Sequence, residues 1–202
     1  MTNGIKVKKR NGSIEPLNLE KMHMMVEEAT KGLAGVSASQ VEIQSGIQFY
    51  DGITTGEIQE ILIKSASDLI DLDHPNYQYV AARLLLFSTR KSLYGRMRDL
   101  PPLRDHIMNC TGINVYDFAI YDKYNLEEIN QADSWLDHDR DYFFTYAGLR
   151  QVVDKYLVQD RSTGKVYETP QFMYIMIALT IFAEYPKAVS YTHLRAHETA
   201  CN

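Results

Sequence analysis

The sequence predicts a mainly α fold in which a small β-hairpin caps a four-helix bundle over about residues 1–95, with a further helical region after it. Three observations carry this. Asn11-Gly12 stands between two short alternating runs, the pattern of a tight hairpin. Four later segments repeat apolar residues at the helical period, with cap or breaker signals at their ends. The longest apolar stretch, Phe172 to Ala183, is shorter than the ~20 residues a bilayer span needs and reads as a buried helix.

Ile5, Val7 and Lys9 alternate before the turn, and Ile14 and Leu17 follow it. Asn-Gly is expected to supply the positive φ angles of a two-residue turn. Asn18 is placed to cap a first helix carrying Leu19, Met22, Val26, Ala29 and Leu33. Ser37 to Gln40 and Thr54 to Glu57 both have capping-box spacing and open the second and third helices. A fourth helix, about Asn76 to Tyr94, stops at Gly95.

Leu100-Pro101-Pro102-Leu103 is expected to be a linker, followed by short helices over Arg104 to Met108 and Leu126 to Trp135. A helix from Ala147 to Lys155 leads to a second hairpin, Tyr156 to Val158 with Lys165 to Tyr167, turning at Arg161 to Gly164. Pro170 then opens an apolar helix over Gln171 to Tyr185, in the first turn where proline is tolerated.

With 202 residues, 45% of them hydrophobic, the chain can bury a sizeable core. A net charge of -5 argues against a whole-molecule footprint for nucleic acid or an anionic membrane. Cys110 and Cys201 are far apart, which suits neither a zinc site nor a disulfide framework and fits a cytoplasmic protein. The N-terminus has no apolar run behind its lysines, so no signal peptide or anchor is expected.

The run from Val189 to Thr199 back-translates into a string resembling the mosaic end and adaptor of transposon-made sequencing libraries. The natural chain is therefore expected to be cut near Ala188, with residues 189–202 as a tail, and His193, His197, Glu198 and Cys201 are set aside with it.

Lys8, Lys9, Arg10, Lys21 and Lys91 are the cations that could meet a polyphosphate, since linked phosphates need several charge-assisted bonds. Thr55 adds a hydroxyl at a helix N-terminus, which favours anions. A solvated lysine-rich hairpin is the plainer alternative. Phe87 lies one turn before Lys91, so it can wall a base or simply fill the core. Glu15 and Asn18 can read an adenine edge, or serve as hairpin charge and helix cap. Asp137-His138-Asp139-Arg140-Asp141 invites a metal or acid/base reading, but consecutive residues seldom converge on one centre, and a polar helix opening with local ion pairs is the better reading. His23, His74 and His106 are expected at the surface or as caps. Neither glycine-rich phosphate loop, G-x-x-x-x-G-K-[ST] nor G-x-G-x-x-G, occurs.

Val7 to Ser13 with Asn18 to Lys21 resembles the opening of an ATP-cone, the regulatory module at the start of many ribonucleotide reductases. Ile47 to Ile53, Asp137 to Asp141, Lys155 to Gln159, Thr163-Gly164 and Tyr167-Glu168 extend the likeness to the bacterial class I large subunit, from Ile5 to about Lys187. The resemblance implies a cone of three or four short strands over a four-helix bundle at 1–95, then at 96–188 the incomplete helical N-terminal part of the reductase α/β barrel domain. It implies that Lys9, Arg10, Lys21 and Lys91 hold phosphates with Thr55 nearby. Glu15, Leu17 and Asn18 fall in the base-reading segment, and Val7, Met22 and Phe87 form its apolar walls. Gln59 stands where close relatives have a histidine beside the sugar.

By the same resemblance the chain is expected to be part of an oxidoreductase, ribonucleoside-diphosphate reductase, with ATP and dATP as allosteric effectors, magnesium accompanying the triphosphate, and no covalent cofactor. Its expected partners are a second large subunit and the radical-bearing small subunit, with no nucleic acid and no membrane. The reaction needs three cysteines, and before the expected tail only Cys110 is present, so no catalytic residue or metal ligand is assigned. The alternatives are a stand-alone cone acting as a regulatory or interaction module, against which the lack of paired cysteines of a zinc ribbon speaks, and a catalytically dead paralogue.

Overall fold

The computed structural model describes residues 4–184; the tail expected at 189–202 lies outside them. The chain divides into two compact units, Met1–Ser88 with Tyr142–Arg150, and Thr89–Asp141 with Gln151–Asn202.

The first unit opens with antiparallel strands β1 (Lys6–Lys8) and β2 (Ile14–Pro16), in the register Lys6 to Pro16, Val7 to Glu15 and Lys8 to Ile14. The turn differs from the expected one. Gly12 has φ +85°, but Asn11 is not among the residues of positive φ. Gly12 N–H donates to Lys9 O, and Lys9 N–H to Ser13 O, a three-residue loop closed by a left-handed glycine. Asn11 is held instead by its side chain, whose Oδ1 accepts from Ser13 N–H and Oγ. On its other edge β1 is flanked by an isolated parallel bridge from Lys8 to Thr54. Two strands and this bridge stand where three or four strands were expected.

Helices α1 (Leu19–Thr30), α2 (Ala38–Gly46) and α3 (Thr55–Asp68) pack in sequence. Asn18 caps α1 through Lys21 N–H, and Thr54 with Glu57 makes a complete capping box on α3. The box expected at Ser37 does not form. Tyr77 takes over that terminus: its hydroxyl accepts from Ser37 N–H and donates to Gln40 Oε1, the two groups a box would have joined. Tyr77 begins α4 (Tyr77–Tyr94). Arg83 from α4 donates to Ala29 O and Lys31 O, capping the C-terminus of α1, whose last turn has no basic residue. Val26, Ala29, Val41, Ile53, Leu62, Ile63, Val80 and Leu84 are buried. Gly95, at φ +71°, follows α4 and donates to Lys91 O.

In the second unit α5 (Leu103–Gly112) packs on α7 (Leu126–Asp133), with the short α6 (Ile120–Lys123) between them in sequence. The expected linker prolines sit directly at the start of α5, Pro102 at its N-cap. The helix expected from Ala147 is α8 (Tyr146–Gln151), which belongs to the first unit up to Arg150, and it continues as a π-helical turn over Val152–Tyr156. That turn absorbs Tyr156, so the second hairpin is shorter than expected: β3 (Gln159–Asp160) pairs with β4 (Lys165–Val166). Helix α9 (Pro170–Phe182) carries its proline in the first turn. Leu103, Ile107, Tyr124, Ile129, Phe172, Ile175 and Leu179 form the core of this unit, with Trp135 packed against it.

His106, expected at the surface, is 1% exposed in that core and stacks on Phe172 with ring centroids 4.1 Å apart. Its Nδ1 meets the Tyr94 hydroxyl at 3.2 Å and its Nε2 the Tyr116 hydroxyl at 3.0 Å. Because Tyr116 donates its proton to Glu168, its oxygen must accept from His106 Nε2–H, which leaves Nδ1 to accept from Tyr94. Burial holds His106 down to about 4, so it is neutral in the folded chain near pH 7.

Candidate nucleotide-binding site

The cations of the hairpin are set by its register. Lys9 Nζ pairs with Glu15 Oε2 at 2.9 Å across the loop. The hydrogen bond and charge of Lys9 lower the Glu15 carboxyl, with a smaller pull from Lys21, so Lys9, Glu15 and Lys21 share one electrostatic neighbourhood. The backbone strip before α3 holds the hairpin over that helix. Lys8 N–H donates to Ile53 O at 2.9 Å, Gly52 N–H to Lys6 O at 2.8 Å, and Lys6 N–H to Asp51 Oδ1 at 2.8 Å.

This alignment brings Arg10 to Gln59, one turn beyond Thr55 on the same face of α3. Arg10 donates to Gln59 Oε1 at 3.5 Å, and Ser88 Oγ on α4 donates to the same oxygen at 2.8 Å. Gln59 is 6% exposed, so three elements meet on one buried amide. Sequence reasoning missed Ser88. It follows Phe87 directly, but its partner lies 29 residues away and leaves no local signal.

The N-terminus of α3 is less open to an anion than the sequence suggested. Thr54 N–H donates to Glu57 Oε2 and Glu57 N–H to Thr54 Oγ1, so the helix's own carboxylate answers part of that terminus. Thr55 is half-buried there.

The remaining expected residues separate by environment. Asn18 Oδ1 is committed to Lys21 N–H, leaving its amide hydrogens for other partners. Leu17 and half-buried Met22 line a groove between β2, α1 and α2 with Ile5, Ile43 and Phe49, whose lining includes neither Lys9, Arg10 nor Gln59. Val7 and Phe87 are buried at 3% and 1%, with Phe87 edge-on to Tyr142 at 6.0 Å between centroids. Lys91 is exposed one turn further along α4.

The Asp137 to Asp141 run makes a 3-10 turn, His138–Phe143. Arg140 pairs with Asp137 at 3.7 Å, as expected for local ion pairs. Asp141 points inward, bound by Arg90 at 3.0 Å and by Gln171 Nε2 at 3.0 Å. Among the described residues no group of three or more His, Cys, Asp or Glu could hold a metal ion.

Residues 5–92 match the ATP cone domain, and residues 142–198 match the ribonucleotide reductase all-alpha domain. The chain belongs to the ribonucleotide reductase large-subunit family. It is 48% identical over 187 residues to ribonucleoside-diphosphate reductase 1 subunit alpha of Escherichia coli strain K12, covering 93% of this chain and 24% of that protein. The subunit alpha of Haemophilus influenzae is 46% identical over 93% of this chain and 25% of its own length, and that of Enterobacteria phage T4 39% over 90% and 24%. The chain thus spans about a quarter of the length of the reductase subunits it matches. The all-alpha match reaches into the segment expected to be adaptor-derived. No helix among the described residues is long and apolar enough to cross a membrane.

Proposed function

We propose that residues 1–95 act as a cone that binds ATP or dATP as allosteric effectors, and that 96–188 begin the catalytic domain of a parent ribonucleoside-diphosphate reductase. The observation that carries this is that the hairpin loop sets Arg10 on Gln59 of α3, one turn from Thr55, while Lys9 pairs with Glu15 and Lys21 adds its charge to the same carboxyl. Several cations around polar donors suit a triphosphate, with Lys91 adding charge from α4 and magnesium accompanying the phosphates. Glu15, Leu17 and Asn18 would meet the base, with Val7, Met22 and Phe87 as apolar neighbours.

In the parent enzyme ATP would permit and dATP oppose deoxyribonucleotide synthesis, by favouring different assemblies of a second large subunit and the radical-bearing small subunit. Such control requires only that the two nucleotides differ in affinity between the two states. The enzyme would work in the cytoplasm without contact to nucleic acid or membrane. A stand-alone cone module is disfavoured by the match of residues 142–198 to the reductase all-alpha domain.

Calorimetric titration of the 202-residue chain with ATP and with dATP is the test. Saturable binding is expected, weakened about tenfold or more by Lys9→Ala or Lys21→Ala through loss of a charge-assisted bond. No binding of either nucleotide would refute the cone reading. The continuous gene should encode the three reductase cysteines downstream.

A further inference from the structure

Helix α9 contains no charged residue. A helix that is apolar all round belongs inside a protein, yet α9 is only partly covered in its unit. Phe172, Ile175 and Leu179 enter the core, while Ile177 and Ile181 are 48% and 60% exposed. These two line a groove of about 550 Å³ together with Tyr156 and Val158, which are also exposed. Large apolar side chains gathered on one concave surface mark a contact rather than a solvated face. The groove also has a charged wall. Glu168 lines it, buried, and accepts from the Tyr116 hydroxyl and from Val158 N–H at 2.8 Å. Among the described residues no lysine or arginine pairs with that carboxylate, and burial raises it from its ordinary value. Lys123, which lines the same groove, is paired with Glu184 instead. A carboxylate out of water is costly until a cation meets it.

We propose that this groove seats a segment of the parent subunit that follows α9 in the gene and lies outside the 202 residues, an apolar segment carrying one lysine or arginine that pairs with Glu168. This rests on the reading of the chain as the start of a longer reductase subunit. The chain covers 24% and 25% of two subunits it matches, so on that reading most of the parent is available to cover the groove. Shape and charge together set the occupant. The walls made by Tyr156, Val158, Ile177 and Ile181 take apolar side chains, and Glu168 selects a cation over a neutral or acidic group. A second copy pairing through the same face would bring a second Glu168 toward the first, and like charges disfavour that self-complementary arrangement.

The test introduces Ile177→Cys or Ile181→Cys and follows reaction of the new thiol with a maleimide by peptide mass spectrometry, in the 202-residue chain and in the parent subunit expressed from the continuous gene. Both positions are exposed in the chain, so labelling should be fast there and about tenfold or more slower in the parent, where the thiol reacts only when the groove opens. Adding Glu168→Gln to the parent should speed labelling about tenfold, because it strands the docked cation. Tyr116→Phe, which removes a bond to Glu168 and keeps its charge, should leave labelling slow. Buried Cys110 should stay unlabelled throughout, which separates an opened groove from an unfolded chain. Equal rates in chain and parent would overturn the docking, and slow labelling in the Glu168→Gln parent would overturn the cation. Labelling of the chain that slows as its concentration rises would assign the groove to a second copy and overturn the proposal too. A continuous gene with no reductase sequence after α9 would instead remove the reading beneath it.

Discussion

Replacing His106 with glutamine tests whether the second unit keeps an imidazole neutral at its centre. The ring is 1% exposed, stacked on Phe172, and bonded through both nitrogens to tyrosine hydroxyls. Burial depresses its pKa from the ordinary 6.5 to about 4. Between those values the unfolded chain takes up a proton that the folded chain refuses, so folded stability is full above pH 6.5 and falls as pH drops toward 4. A depression of this size corresponds to about 3 kcal/mol. His138, also depressed to about 4 by burial, adds to the same trend, while Asp141, raised to about 6 by burial, works against it. The measurement must therefore be a difference between wild type and His106→Gln, in which the other groups cancel. Urea unfolding followed by Trp135 suits it, because that residue is the chain's single tryptophan and packs against the core of the same unit. The stability advantage of wild type over the variant should shrink by about 3 kcal/mol between pH 7 and pH 4. A difference that stays constant with pH would show that His106 is not held neutral by burial.

Other outcomes rest on particular contacts. Arg90→Met should destabilise the second unit by about 3–5 kcal/mol in urea unfolding, since it strands the buried Asp141 carboxylate. The double variant Arg90→Met with Asp141→Leu should recover much of that loss. Thr54→Ala removes half of the α3 capping box and should cost about 0.5–2 kcal/mol in thermal melts followed by circular dichroism. Gly12→Ala places a side chain at φ +85° and should cost about 1–2 kcal/mol in the same assay.

The features legible in the sequence were local ones. Thr54 and Glu57, Asn18, Pro170 and Gly95 act on backbone within a turn of themselves, and each works where its spacing placed it. Ser37 has the same spacing as Thr54, yet Tyr77 from another helix reaches its terminus first. Asn11 shows the same limit on a smaller scale, because its amide finds Ser13 and removes the need for a left-handed backbone. His106 and Asp141 were unreadable as buried groups, since their partners Tyr94, Tyr116, Arg90 and Gln171 are 10 to 51 residues away. For the candidate site, the cations and Gln59 could be picked out by type and resemblance. That Lys9 would be paired with Glu15, and that Ser88 would share the oxygen of Gln59, depended on the hairpin register and on the packing of α3 beside α4.

The isolated bridge beside β1 also bears on how copies of the chain behave toward each other. A lone hairpin offers two rows of backbone groups that invite another chain to add a strand. Here the outer row of β1 is already engaged by Gly52 to Thr54. On β2, Leu17 N–H turns inward to Ile5 O, so strand alternation turns the nitrogen of Pro16 outward, where it has no hydrogen to offer. The rims of the hairpin are therefore poorer templates for intermolecular sheet growth than those of an open strand pair, β1 through its covered row and β2 through Pro16.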